Sequence, residues 1–240
     1  MRRGVVFLVL VSLALSSAPV ARADVYVPAK ATYRPSLGWV CWPRRAMGDF
    51  DGNGRPDVVV MWDRVRPHGL CDEYQSKNRW HVALLLGGGG RVQRPLPCEG
   101  YVFCSPAAGD LEGDGRDELI VDTCCGAIIA EYHVYRLGGS RLAPPRVLPP
   151  SAARVRAGPL VLSIVSDSGT HDGFGCRTHP GGVRVLVAYA GKRGRRGHWR
   201  FARARLRSQG GAFRVIGVRR FRRTLPLGAW PRGPRLDSCW

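Results

Sequence analysis

Asp49-Phe-Asp51-Gly-Asn53-Gly54-Arg55-Pro-Asp57 occurs twice in this chain, the second time as Asp110-Leu-Glu112-Gly-Asp114-Gly115-Arg116-Asp-Glu118. In both copies oxygen-bearing side chains fall at loop positions 1, 3, 5 and 9, and a glycine at position 6 permits a sharp turn. A loop of this kind can wrap Ca²⁺, which takes roughly 6–8 oxygen ligands. We therefore predict two structural Ca²⁺ sites, with the backbone carbonyl at position 7 as a further ligand. The predicted ligands are Asp49, Asp51, Asn53, Arg55 and Asp57 in the first loop, and Asp110, Glu112, Asp114, Arg116 and Glu118 in the second.

Two other structures compete for these loops. An EF-hand requires a glutamate at position 12 and flanking helices, but Val60 and Val121 stand there. The residues that follow each loop, Val58 to Val60 and Leu119 to Val121, favour strands. The second competitor is a pair of Asp/Gly-rich turns without metal. The repetition of the same ligand positions favours Ca²⁺ over such turns.

The segments GDFDGNGRPDVVV and GDLEGDGRDELIV resemble the FG-GAP or VCBS repeat, the calcium-loop blade of integrin-α-type β-propellers. The resemblance covers the loop and the strand after it. It implies an all-β fold of propeller blades and a non-enzymatic binding or adhesion role for an exported bacterial protein.

Three repeat units follow from the glycines that open them. Gly48, Gly109 and Gly158 each precede an apolar strand, and the third unit lacks the acidic loop. The units lie near 46–104, 107–156 and 157–217, and basic strands continue to residue 240. We predict a single all-β domain over 24–240, a small β-propeller or propeller-like array of about three to four blade units, with a β-sandwich as the alternative. Tyr33 to Trp42 and Cys239 are candidates for closing the ring.

Several further strands are predicted from a period of two. They start near Trp80, Glu131 and Val183, and each follows a loop that carries cysteine, at Cys71, Cys124 and Cys176. A hairpin with arginines on one face is predicted from Trp199 to Gly217, with its turn at Ser208 to Gly211.

The N-terminus is predicted to be a secretory signal, residues 1–23, because two arginines precede a short apolar core and an Ala21-Arg22-Ala23 cleavage site. The core is too short to span a bilayer, which takes about 20 residues. We therefore expect a secreted protein without membrane insertion. Its eight cysteines fit export and disulfide stapling. The spacing of Cys98 and Cys104 predicts one disulfide, and the other pairings stay open.

The charge of the chain is strongly basic and unevenly distributed. Its formal net charge is +19, and from Gly181 onward sixteen Lys/Arg residues accompany one acid, Asp237. Such a field attracts polyanions such as nucleic acid, teichoic acid or acidic polysaccharide. The aromatic residues of this region, among them Trp199 and Phe201, are predicted to form core more often than to stack on bases or sugars.

Three functions remain open on the sequence. The first is a calcium-binding, non-enzymatic binding or adhesion module for an extracellular protein or glycan. The second is a binder of anionic polymers, cell-wall polymer or nucleic acid, through the basic C-terminal region. The third is an extracellular hydrolase that uses the polar loop around His171 and Asp172. No nucleophile elbow, zinc-protease motif or phosphate-binding glycine loop supports the third, so we predict no catalytic residues.

Overall fold

The computed structural model shows an all-β chain. It describes residues 32–34, 38–64, 80–96, 104–124, 129–151, 155–165, 167, 169–179, 183–195, 198–225 and 236–239. The strands are β1 (Thr32–Arg34), β2 (Gly38–Gly48), β3 (Asp57–Arg64), β4 (Trp80–Leu85), β5 (Arg91–Pro95), β6 (Ser105–Gly109), β7 (Glu118–Cys124), β8 (Ile129–Gly138), β9 (Arg141–Ala143), β10 (Arg146–Val147), β11 (Gly158–Pro159), β12 (Val161–Val165), β13 (Thr170–Thr178), β14 (Arg184–Arg193), β15 (His198–Gln209) and β16 (Ala212–Thr224). A 3₁₀ helix spans Leu236–Cys239.

The strands form three sheets. Sheet one has the order β1-β2-β3-β4-β5, and sheet three has the order β11-β10-β16-β15-β14-β13. Sheet two has the order β12-β8-β7-β6, and β9 also pairs with β8. Every pairing is antiparallel except β10 with β16. Curled antiparallel sheets that follow one another along the chain fit the propeller-like fold expected from the repeats.

Sheet two lies between the other two sheets and is buried on both faces. Leu119 and Val121 pack with Met61 and Trp80 of sheet one. Ile120, which points to the opposite face, packs with Phe174 of sheet three. Strands buried on both faces are continuously apolar rather than alternating, which explains the run from Leu119 to Val121. Face-to-face packing of successive sheets is the way propeller blades form their core.

The strands predicted from the period of two are present. β4 starts at Trp80 and ends at Leu85, β8 contains the segment that starts at Glu131, and β14 contains the one at Val183 apart from its first residue. β15 and β16 form the predicted hairpin around a turn at Gly210 and Gly211. Its arginines differ from the prediction, however, because they occupy both faces: Arg203 pairs with Arg219 on one face, and Arg200 pairs with Arg222 on the other.

The third predicted unit is divided between two sheets. β12, its opening strand, pairs with β8 of sheet two, from Val161 opposite His133 to Val165 opposite Ile129. The rest of the unit belongs to sheet three. No acidic loop precedes β12 to fix its partner strand. Its pairing with β8 therefore depends on the apolar packing of Leu162 in the core shared by sheets two and three.

The cysteines differ in part from the prediction. Cys124 is the last residue of β7 and Cys176 lies within β13, so neither lies in a loop as predicted. Cys176 forms a disulfide with Cys239. Cys41 and Cys104 are also disulfide-bonded, and the part of the chain that the structure describes holds no free cysteine. Cys98 lies outside the described residues, so the Cys98–Cys104 pairing stays a prediction, as does the signal sequence at 1–23.

Neither candidate for ring closure joins the two ends of the described chain. The described part of the stretch from Tyr33 to Trp42 forms β1 and the start of β2 in sheet one. Cys239 is tied to sheet three through Cys176. Among the described residues, no helix has the length and apolar character needed to cross a membrane.

Candidate metal centre

Both acidic loops have the backbone that the sequence predicts. Gly54 and Gly115 at position 6 have φ values of 76° and 85°, in the left-handed region that favours glycine. The glycines at position 4, Gly52 and Gly113, both have φ of 76°. Each loop therefore turns sharply twice, and each runs directly into its strand, β3 or β7.

The first loop brings three carboxylates together. Asp49, Asp51 and Asp57 each offer an oxygen within 4.8 Å of the others, and they are the only such group of three among the described residues. Asp49 accepts hydrogen bonds from the backbone N–H groups of Gly52 and Gly54, at 2.9 Å and 2.8 Å. Carboxylates this close repel one another, and a hard divalent cation offsets that repulsion while using the same oxygens as ligands. The first loop therefore fits Ca²⁺.

Asp57 anchors the first loop to sheet one. Its side chain is fully buried. One oxygen accepts from the N–H of Phe50 at 2.9 Å, and the other accepts from Gly87, in the turn between β4 and β5, at 2.7 Å. Asn53 is exposed, and its amide oxygen accepts from the N–H of Arg55 at 2.7 Å. The roles of Asn53 and of the Arg55 carbonyl as ligands stay predictions.

The second loop differs because arginines contact its acids. Glu112 is buried, and its Oε2 lies 3.2 Å from Nη1 of Arg136 and 2.7 Å from the hydroxyl of Ser208. Arg136 also reaches Asp114, at 3.2 Å. The Arg184 guanidinium lies 3.8 Å from Asp110. Positive charge from the protein thus occupies the side of the loop where the sequence predicts a cation. Arg116, whose carbonyl was the other predicted ligand, is exposed.

Glu118 remains incompletely satisfied. It is fully buried, and its Oε2 accepts from the N–H groups of Leu111 and Glu112 at 2.7 Å and 3.3 Å. Its Oε1 has no hydrogen-bond partner, and the same holds for Oε1 of Glu112. Burial first, and then the neighbouring Glu112, raise the pKa of Glu118 to about 9. Two buried oxygens without donors keep the second loop compatible with a cation, despite the arginines.

The two loops touch each other through Asp117, which the sequence does not single out, and the backbone of the predicted ligand Asp49. The N–H of Asp117 donates to the carbonyl of Asp49 at 2.9 Å, and the N–H of Asp49 donates to the Asp117 carboxylate at 2.8 Å. The opening glycine Gly48 is packed against the same aspartate. A Cβ at Gly48 would lie 2.6 Å from Oδ2 of Asp117 and 2.8 Å from Cβ of Ala108. The first repeat can approach the second this closely only with glycine at residue 48.

We expect Gly48→Ala to lower the free energy of unfolding by about 1–3 kcal/mol, the usual cost of forcing an extra methyl into a packed site. Urea unfolding followed by fluorescence measures the change. Gly138→Ala is the matched control, since its added Cβ meets nothing within 4 Å, and we expect it to stay within about 0.5 kcal/mol of wild type. Equal stability of the two variants would contradict the close contact between the loops.

A separate cavity of about 660 Å³ borders β8 and β12. Its polar lining includes Glu131, His133 and Asp172, and Oε1 of Glu131 lies 3.0 Å from Nε2 of His133. His171 does not join them. Successive residues of a strand point to opposite faces, and His171 instead makes an edge contact with Tyr189 at 6.4 Å between ring centroids. The predicted His171 and Asp172 pair is therefore split across the sheet.

Comparison with known proteins assigns the segment that contains the two acidic loops. No curated protein and no solved structure matches the chain. Residues 49–121 match the family described as FG-GAP-like repeat. The match begins at the first ligand position of the first loop and ends in β7, directly after the second loop, so it contains both acidic loops together with β3 to β6. Residues 49–121 of this chain are therefore an FG-GAP-type repeat.

Proposed function

We propose that this protein is a secreted, calcium-stabilised FG-GAP repeat protein that acts as a non-enzymatic binding or adhesion module. The observation that carries the proposal is the convergence of Asp49, Asp51 and Asp57 within 4.8 Å. The ion has a structural role: it neutralises the loop that joins β2 to β3 and so holds the first repeat against the second.

The two loops differ in affinity under this proposal. The first loop binds Ca²⁺ more tightly, because no ion pair with its three clustered carboxylates is found among the described residues. In the second loop Ca²⁺ competes with Arg136 and Arg184, whose charges lie 3.2–3.8 Å from the acids. Electrostatic repulsion between the guanidinium groups and the ion weakens binding there.

The non-enzymatic part of the proposal is supported by the placement of the titratable groups. The three clustered carboxylates belong to the first loop, and His171 and Asp172 lie on opposite faces of β13. A hydrolase that depends on this pair would need both side chains at one reacting centre. The binding role agrees better with these positions.

Calcium titration of thermal unfolding tests the proposal. At free Ca²⁺ a hundredfold above Kd, binding stabilises the folded state by about 2.7 kcal/mol. For a domain of this size that corresponds to a rise in Tm of about 5–11 °C. We expect Asp51→Asn to abolish most of this rise, because it removes one of the three clustered charges while keeping a similar shape.

Asp167→Asn is the matched control for Asp51→Asn. Asp167 also accepts from two backbone N–H groups, those of Gly169 and Thr170, at 2.7 Å and 2.6 Å. Among the residues that the structure describes, it belongs to no carboxylate group of the kind found in the first loop. We expect this variant to keep the full response to Ca²⁺. Coincident melting curves with Ca²⁺ and with chelator for the wild type would refute calcium binding.

A further inference from the structure

Sheet three carries a cluster of arginines on one face. Arg203 lies directly opposite Arg219 across β15 and β16, and Arg205, two residues along the strand, lies on the same face opposite Gly217. The guanidinium of Arg205 lies over Gly217, with Nη2 3.0 Å from where a Cβ would stand. Arg177 of β13 shares this face, because it pairs with Val185, two residues from the Val187 that pairs with Arg205. We call these four residues, Arg177, Arg203, Arg205 and Arg219, the arginine face.

Within the described part of the chain, the arginine face has no counter-charge. None of its four members forms an ion pair with a carboxylate among the described residues, and the sequence from Gly173 to Leu236 contains no Asp or Glu. Like charges placed directly opposite each other destabilise a sheet. Burial and the charges of its neighbours Arg177, Arg219 and Arg205 lower the pKa of Arg203. An anion bound among the four side chains would offset this repulsion.

Access to the arginine face is open at three of its members. Arg177, Arg205 and Arg219 are exposed, and Arg203 is half-buried at the centre. Among the described strands, β16 is paired on its outer side only at Ala212 and Phe213, through β10, so from Arg214 onward it forms the edge of the described sheet. A long ligand can therefore run along β15 and β16 without meeting another strand of the described chain.

The chemistry of the face favours phosphate over a base or a sugar ring. Trp199 and Phe201 are each only 2% exposed and belong to an apolar cluster with Tyr189, so they offer no open ring for stacking. A guanidinium presents a planar fork of donors that binds phosphate in a bidentate manner. Along β15 the residues of one face recur about every 6.6 Å, and Arg203, Arg205 and Arg207 occupy three successive positions of this row. The row matches a ligand whose charges repeat along a line.

We propose that Arg177, Arg203, Arg205 and Arg219 bind the phosphates of a linear phosphodiester polymer through its backbone, without contact to bases. This assigns a ligand to the binding module proposed above and rests on that role. It does not depend on the calcium loops, because the face is formed by sheet three alone. Of the remaining arginines of β16, Arg220 and Arg222 lie on the other face of the sheet, and Arg214 and Arg223 lie on the same face toward the two ends of the strand.

A charge-matched pair of double variants tests the arginine face. Arg205→Gln with Arg219→Gln removes two charges from it, and Arg220→Gln with Arg222→Gln removes two charges from the opposite face of the same hairpin. The probe is a fluorescent oligodeoxynucleotide without bases, with binding read by anisotropy across a range of salt concentrations. We expect the first pair to weaken binding about tenfold or more, and to reduce the salt slope by about 1.4, since each single-strand phosphate contact contributes about 0.7. We expect the second pair to change the affinity less than about threefold at each salt concentration.

The controls separate this inference from its alternatives. Equal losses of affinity for the probe in the two double variants would show diffuse electrostatic attraction and overturn the site. Much tighter binding of oligothymidylate of the same length would show that bases are read and would also overturn it. Equal competition by polygalacturonate, a carboxylate polymer, would overturn the phosphate assignment. Far-UV circular dichroism and melting curves establish that each variant is folded.

The calcium proposal is tested apart from the arginine face in the same assay. We expect Asp51→Asn to bind the probe like the wild type although it no longer responds to Ca²⁺. A wild type that binds the probe but shows no calcium response would refute calcium binding alone. A wild type that responds to Ca²⁺ but does not bind the probe would refute the arginine face alone.

Discussion

Arg136→Gln is expected to lower the free energy of unfolding in chelator by about 3 kcal/mol, because it removes the charged partner of a buried carboxylate. Glu112 has a side chain only 3% exposed, and Arg136 lies 3.2 Å from it. The same guanidinium reaches Asp114 and approaches Gly211 at the turn between β15 and β16. Its loss would leave the Glu112 carboxylate with one described partner, the Ser208 hydroxyl at 2.7 Å. It would also loosen the contact between sheets two and three.

Calcium is expected to restore part of this stability. Without Arg136 the acids of the second loop keep one nearby arginine, Arg184, so an incoming divalent cation meets less repulsion. We expect the rise in Tm on adding Ca²⁺ to be larger for Arg136→Gln than for the wild type. Differential scanning calorimetry with Ca²⁺ and with chelator measures both effects.

Arg141→Gln is the control for Arg136→Gln. It removes the same charge from an exposed position in β9 of the same sheet, and exposed substitutions usually stay within about 0.5 kcal/mol. An Arg136→Gln protein as stable as Arg141→Gln would show that the Glu112 contact contributes nothing. A destabilised variant that gains no extra Tm from Ca²⁺ would show that the second loop does not take the ion even when the arginine is removed.

The first loop was predictable because its determinants are local. Asp49, Asp51 and Asp57 lie within nine residues, Gly54 supplies the positive φ that the turn needs, and the β-branched run after the loop specifies β3. Each of these signals is complete within one short segment. The strands from Trp80 and Glu131 were predictable for the same reason, since a period of two is a property of neighbouring residues.

The second loop was only half predictable because its partners are distant in the chain. Arg136 lies 22 residues from Asp114, Arg184 lies 74 residues from Asp110, and Ser208 lies 96 residues from Glu112. Loop spacing carries no information on which arginine folds back onto it. The chain holds 37 Lys and Arg residues, so charge complementarity alone could not select Arg136. The pairing of β8 with β7 inside sheet two brings Arg136 to the loop, and the packing of sheet three against sheet two brings Arg184 and Ser208 there.

The same limit applies to the arginine face. The sequence places arginines at alternate residues from Arg203 to Arg207 and predicts a hairpin with arginines on one face, but which arginines of β16 share that face depends on the register between β15 and β16. That register shifts between Arg205 and Leu206. Simple alternation of residues, counted from one end of β16, therefore assigns residues at the other end of the strand to the wrong face. A single irregularity of this kind decides which arginines meet.

Cys239→Ser is expected to lower the free energy of unfolding by about 4 kcal/mol, the chain-entropy value for a disulfide that closes a loop of this length. The bond to Cys176 spans 63 residues and fixes the 3₁₀ helix against β13. The N–H of Cys176 also donates to the hydroxyl of Ser238 at 2.9 Å, but one such hydrogen bond contributes only about 1 kcal/mol.

Ser238→Ala is therefore the control for Cys239→Ser. The double variant Cys176→Ser with Cys239→Ser excludes effects of an unpaired thiol. Urea unfolding should separate the cysteine variants from Ser238→Ala by about 3 kcal/mol. Peptide mapping verifies the Cys176–Cys239 bond in the wild type. If the cysteine variants are then as stable as Ser238→Ala, the pairing of β13 with β14 holds sheet three without help from the C-terminal disulfide.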